Sequence, residues 1–310
     1  MSVNELEVLR EELCSFLNYE VHEAPAQVVV HEEVREDGYM RRLVSYVAAD
    51  GDEIGAYLLL PDSPGSHPGM VVHHQHNSEW SLGKSEVAGL AGDPLQAFGP
   101  ALAKRGICVL APDSICFEDR RRDPNADDYE SGRRQHYLEM VYRLARGDTL
   151  MRKVLSDGSA ALSVLSTTKS IDRERIGALG HSYGGNTVLF HTAVDDRICF
   201  ACASGAACRY RYKMAHEIGI EMAEVIPGFT ARFDIDDLVK CAAPRPMLIV
   251  SADGDEYSQD ADEVAQSARQ AYAAIGTDGA LEHARYAGGH ELTAERFARI
   301  VEWCVGAARV

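Results

Sequence analysis

The stretch RIGALGHSYGGNTVLFH, Arg175 to His191, decides the fold. An apolar run of strand character, Arg175 to Gly180, meets a serine between glycines in Gly180-His181-Ser182-Tyr183-Gly184, and the chain leaves at once into a run of helical character. A strand that turns so abruptly into a helix needs small neighbours, and the turn lifts its central side chain above the sheet. Ser182 is therefore a nucleophile candidate. Glycine and serine are common in any tight turn, so the pentapeptide gains its meaning from the rest of the chain.

On both sides of it, runs rich in Val, Ile and Leu alternate with runs of helical period, the pattern of a mostly parallel sheet covered by helices on both faces. AQVVVHEEV, MRRLVSYVA and EIGAYLLLP, separated by EDGY and ADGD, predict an antiparallel entry to the sheet. GMVVHH, ICVLAPD, RIGALG, ICFACAS, PMLIVSA and LEHARYA follow as buried strands. Helices are expected near Asp93–Lys104, Ser131–Arg146, Thr149–Thr168, Gly185–Val194, Asp260–Ile275 and Thr293–Ala308. With 310 residues, 46% of them hydrophobic, one domain can bury a full core. It is read as residues 1–66, an N-terminal helix and antiparallel strands, and a catalytic core over 67–310. Insertions at about 116–168 and 205–242 are several times longer than ordinary connections and are expected to wall the site.

A serine hydroxyl attacks only when a base takes its proton, and the base needs an acid to fix its tautomer. Past the strand PMLIVSA comes DGDEYS, and past LEHARYA comes AGGHELT, an acid and then a histidine in chain order. His290 is the base. Asp255 is preferred as the acid over Asp253 because it lies farther beyond the strand end; Asp253, next to Gly254, suits an aspartate turn. The developing oxyanion needs backbone donors: Tyr183 supplies one, and Gln75 or His76, in HHQHNSEW, the other. In that run His73 and His74 are neighbours on a strand and point to opposite faces, with no carboxylate or cysteine at ligand spacing, so no metal and no cofactor is expected. Trp80, Arg120 and Tyr210 are candidates for contacting substrate, Arg120 through a carboxylate and Tyr210 through a ring. Cys199-x-x-Cys202 has no matching second pair and is read as strand packing.

Five segments together, HHQHNSEWSLGKSEVAG, ALAKRGICVLAPDSICFEDRR, IDRERIGALGHSYGGN, CAAPRPMLIVSADGDEYS and YAGGHELT, resemble the α/β-hydrolase superfamily, in its branch of dienelactone-hydrolase-like and acetyl-xylan-esterase-like proteins. The resemblance implies the α/β-hydrolase fold, with a central sheet of about eight strands and helical insertions near the active site. It also implies a serine hydrolase that works through an acyl-enzyme. Dienelactone hydrolases use a cysteine where this chain has Ser182, and the glycine usual after the oxyanion-loop histidine is Gln75 here. The reaction expected is cleavage of a carboxylic ester. The same triad would serve an amide, lactone or carbon–carbon bond, and a ligand-binding protein on the same scaffold is the alternative from another class. A net charge of −17 repels nucleic acid and anionic lipid, which leaves a small-molecule ester as partner and room for a homo-oligomer. An acidic N-terminus, no long apolar run and eight cysteines without a secretion signal predict a cytoplasmic protein.

Overall fold

The turn clusters after the first two strands fold into hairpins, with left-handed corners at Gly38 (φ 88°) and Gly51 (φ 91°). A computed structural model describes residues 2–22, 27–125 and 128–309. Residues 26, 126 and 127, which the strand AQVVVHEEV and the first insertion include, lie outside them. The hairpins join β1 (Val29–Glu36), β2 (Tyr39–Val47) and β3 (Glu53–Pro61), all antiparallel. Parallel strands follow: β4 (His67–His73), β5 (Cys108–Pro112), β6 (Ile171–His181), β7 (Phe200–Ser204), β8 (Met247–Ala252) and β9 (Leu281–Tyr286). They lie in the order β1-β2-β3-β5-β4-β6-β7-β8-β9, nine strands where about eight were expected, because all three N-terminal segments join the one sheet.

The helices in chain order are α1 (Val3–Leu17), α2 (Lys84–Val87), α3 (Phe98–Ala103), α4 (Tyr129–Ala145) and α5 (Leu150–Thr167). After these come α6 (Tyr183–Val194), α7 (Tyr210–Ala215), α8 (Ile235–Ala242), α9 (Ala261–Ala274) and α10 (Ala294–Ala307). Successive strand residues point to opposite faces. Val71, Ala178, Ala201 and Ile249 therefore meet one core with α1, α5, α6, α8 and α9, while Met70, Leu179, Cys202 and Leu248 meet a second with α3 and α10. Between β6 and β7, α6 is buried along its whole length, which fixes the turn at Ser182 before its N-terminus. No helix of the described residues is long and apolar enough to cross a membrane.

Three departures from the sequence reading have physical causes. The helix expected over Asp93–Lys104 is split: Asp93 caps a 3-10 turn at Pro94–Gln96, and Ala97 (ψ 55°) leaves helical geometry before α3 begins. The 116–168 segment does two jobs, since its second helix, α5, packs on β4, β5 and β6 as the crossover helix of the core. The short α2, α7 and α8 went unread, being too brief for periodicity to register. Of these, α8 had a local signal in the Asp234–Asp237 capping box.

Lys84, 2% exposed, ties the inserted loops to the sheet. Its Nζ lies 2.8 Å from Asp113 Oδ2 at the end of β5, 2.7 Å from Glu118 Oε1 and 2.6 Å from Asp119 Oδ2. Burial and Glu118 push the Asp113 carboxyl up even with Lys84 beside it. Without the cation, Asp113 must bind a proton or sit uncompensated. Lys84→Met is expected to cost about 3–5 kcal/mol at neutral pH, read as a lower urea midpoint at unchanged slope. The loss should shrink as pH falls and Asp113 protonates. A loss below about 1 kcal/mol would mean the network is dispensable.

Candidate active site

β6 ends at His181 and α6 starts at Tyr183, so Ser182 carries the whole turn, at φ 58° and ψ −122°. Such a backbone costs an L-residue about 1–3 kcal/mol and persists only when its surroundings hold it. The Ser182 N–H donates to Ser204 O at 2.8 Å on β7, and the Asn186 N–H to Ser182 O at 2.9 Å. The glycines are needed for close approach: a Cβ on Gly180 would lie 2.2 Å from the Gly184 carbonyl carbon, and one on Gly184 would lie 2.1 Å from His73 O at the end of β4. Strand, turn, helix and neighbouring strand are in backbone contact.

Ser182 Oγ lies 2.7 Å from His290 Nε2, and His290 Nδ1 lies 2.9 Å from Asp255 Oδ1. An ionised carboxylate only accepts, so Nδ1 carries the ring proton and Nε2 is left to accept from the serine hydroxyl. Asp255 is 2% exposed. Burial alone would raise its carboxyl, but hydrogen bonds from His290, the Ser258 hydroxyl (2.6 Å) and the Tyr257 N–H (3.0 Å) hold it below the usual range. Asp253 has a different place: it is exposed, and its Oδ1 accepts from the Gly288 N–H at 2.9 Å, bracing the loop that carries His290. Arg296, unread in the sequence, locks that loop from beneath, donating to Ala287 O, Gly289 O and Glu291 O at 2.8–2.9 Å. His181, whose ring sits 5.0 Å from that of His290, is pushed down to about 3 by burial and so is uncharged beside it.

Ser182 and His290 open into a pocket of about 360 Å³. Tyr183 and His76 line it as well, and Gln75 does not. As the first residue of α6, Tyr183 has no carbonyl one turn earlier in the helix to bind its N–H. The Gln75 side chain is engaged elsewhere: its carboxamide NH2 donates to both Glu86 oxygens at 3.1 Å and its Oε1 accepts from Gln96 at 3.1 Å. His74 is equally committed, donating from Nδ1 to Gln75 O at 2.7 Å and accepting from the Ser114 N–H at 3.0 Å.

The three expected substrate contacts fall outside the pocket wall. Arg120 reaches Asp157 Oδ2 at 2.7 Å and Asp113 O at 3.1 Å, so its charge is consumed in holding the loop onto α5. Tyr210 is buried, with its hydroxyl on Glu224 O at 2.8 Å. Trp80 is 4% exposed, behind His76 and against Gly132, where a Cβ would strike its ring at 2.5 Å. The wall instead includes Asn186, Lys213, Glu221, Glu224 and Tyr257. Lys213 Nζ pairs with Glu224 Oε2 at 2.9 Å with both side chains buried, while Glu224 Oε1 and Asn186 Oδ1 have no hydrogen-bond partner. Burial pushes the Glu221 carboxyl up to about 7. Lys213 and Glu224 sit in the 205–242 insertion, but neither belongs to a motif.

No family model matches the chain. It is 26% identical over 245 residues to the "putative hydrolase YtaP" of Bacillus subtilis strain 168, covering 77% of this chain and 78% of that one. A shorter match, 31% over 142 residues, covers 39% of this chain and 32% of the carbohydrate esterase MZ0003 of an unknown prokaryotic organism. Among solved structures, a glucuronoyl esterase from Solibacter usitatus superposes with TM-score 0.71 at 15% identity, covering 99% of this chain and 94% of that one. An acetyl xylan esterase from Paenibacillus sp. R4 gives TM-score 0.61 at 17% identity over 98% and 95%. With its nine-stranded, mostly parallel sheet and helices on both faces, the chain has the fold of the α/β-hydrolase superfamily.

Proposed function

We propose that the protein is a serine hydrolase that cleaves a carboxylic ester, with Ser182, His290 and Asp255 as its catalytic triad. The observation that carries this is the hydrogen-bonded chain from Ser182 Oγ through His290 to the buried Asp255, opening into a pocket. Ser182 Oγ attacks the ester carbonyl as its proton passes to His290 Nε2, and Asp255 stabilises the imidazolium. The amides of Tyr183 and His76 hold the oxyanion. Collapse breaks the bond to the alcohol, which leaves with the proton from His290 and gives the acyl-enzyme. Water, deprotonated by the same nitrogen, adds to the acyl carbon, and breaking its bond to Oγ releases the acid and restores Ser182.

The polar wall supports an ester of a polyhydroxylated molecule. Asn186, Lys213, Glu221 and Glu224 make the wall beside Ser182 polar, which suits hydroxyl groups better than hydrocarbon. The names of the carbohydrate esterase and the two structural neighbours point the same way. The nine strands form one sheet, which supports a single catalytic domain over 1–310.

Ser182→Ala is expected to stay folded and to lose about a thousandfold or more in p-nitrophenyl acetate turnover. It should also lose covalent labelling by a fluorophosphonate probe. Turnover within tenfold of the parent (roughly 1.4 kcal/mol in barrier) would refute the serine mechanism.

The two aspartates separate cleanly. Asp255→Asn leaves the His290 tautomer unfixed and is expected to drop turnover by about 10⁴-fold. Asp253→Asn loses only a brace to Gly288, about 1 kcal/mol or less of local stability, and keeps most of its turnover. The reverse ranking would make Asp253 the acid.

A further inference from the structure

We propose that His76, His136 and Glu221 form a binding site for one divalent transition-metal ion of the zinc class, set into the wall of the pocket that holds Ser182. One donor atom from each of the three lies within 4.8 Å of the other two. They come from separate parts of the chain: the loop after β4, the middle of α4, and the segment after α7. The sequence run His73-His74-Gln75-His76 offered no carboxylate at ligand spacing; folding brings one in from far downstream.

The independent observation is His136. It is 0% exposed, and neither ring nitrogen has a hydrogen-bond partner. Burying such a group unpaired is costly. Its ring stacks on that of His76 at 5.5 Å, with no direct bond between them. Two imidazoles and a carboxylate are the donor set of three-ligand zinc sites, whose remaining position is open to water or substrate. His76 and Glu221 both line the pocket, so an ion held there would sit in its wall. Metal–nitrogen and metal–oxygen bonds of about 2.0–2.2 Å require the donors to draw in by roughly an ångström.

Coordination also has a local consequence. The Ser78 N–H donates to His76 Nδ1 at 2.9 Å, which places the ring proton on Nε2. Binding through Nε2 moves that proton to Nδ1 and releases the Ser78 amide. The second acidic cluster, Asp113, Glu118 and Asp119, is no rival, because Lys84 Nζ already fills its centre.

This site does not depend on the serine mechanism, and its test is binding. The 310-residue chain, stripped with EDTA and dialysed, is titrated with Zn²⁺ by calorimetry and with Co²⁺ by visible absorption. One equivalent of Zn²⁺ at micromolar or tighter affinity, with the d–d bands of a four- or five-coordinate Co²⁺ site, is expected. Glu221→Gln and His136→Asn should each weaken binding by at least ~10–100-fold, the loss typical of removing even an outer-shell partner. Circular dichroism checks their folding; if His136→Asn does not fold, Glu221→Gln at the pocket rim decides. Failure of the parent protein to bind either ion, or equal binding by the Glu221→Gln variant, would overturn the assignment. Labelling of Ser182 by the fluorophosphonate reports on the esterase reading separately.

Discussion

Everything at the site hangs on the backbone of one residue. Ser182 sits at φ 58° and ψ −122°, a conformation an L-residue leaves unless prevented. Three contacts prevent it: the hydrogen bond to Ser204 on β7, the first turn of the fully buried α6, and the glycine-only approach of Gly184 to His73 O on β4. The hydroxyl is therefore aimed by the two strands that flank β6 and not by its own side-chain torsion alone. A sheet with this strand order is what puts β4 and β7 on either side of β6, the strand that ends at Ser182.

The histidine has the opposite problem, because it lies in a loop and is held by other loops. The ends of β8 and β9 are laced together: the Asp253 N–H donates to Tyr286 O and the Gly254 N–H to Gly288 O, each at 2.9 Å. Asp253 then caps Gly288, and Arg296 gathers three carbonyls around the same loop. Asp255 and His290 are thus carried on one unit and keep their spacing when either loop moves. Buried cations play the same part elsewhere, with Lys84, Arg120 and Lys153 each joining inserted or N-terminal loops to the core through carboxylates. In a chain of net charge −17, cations placed this way do structural work before any ligand arrives.

What was legible in the sequence was whatever repeats or sits at a strand end. The strands announced themselves by composition, Ser182 by its glycines, His290 and Asp255 by following strands in the right order. Asp255, farther past the strand end, is the one that meets His290, while Asp253 meets Gly288. What stayed hidden depends on contacts between segments with no periodicity. His136 is one residue of a polar helix, Lys213 sits on the six-residue α7, and Glu221 and Glu224 flank a single 3-10 turn; no local pattern says that they meet. Arg120, Trp80 and Tyr210 misled for the same reason, since residue type suggested ligand contacts while tertiary packing claimed each of them.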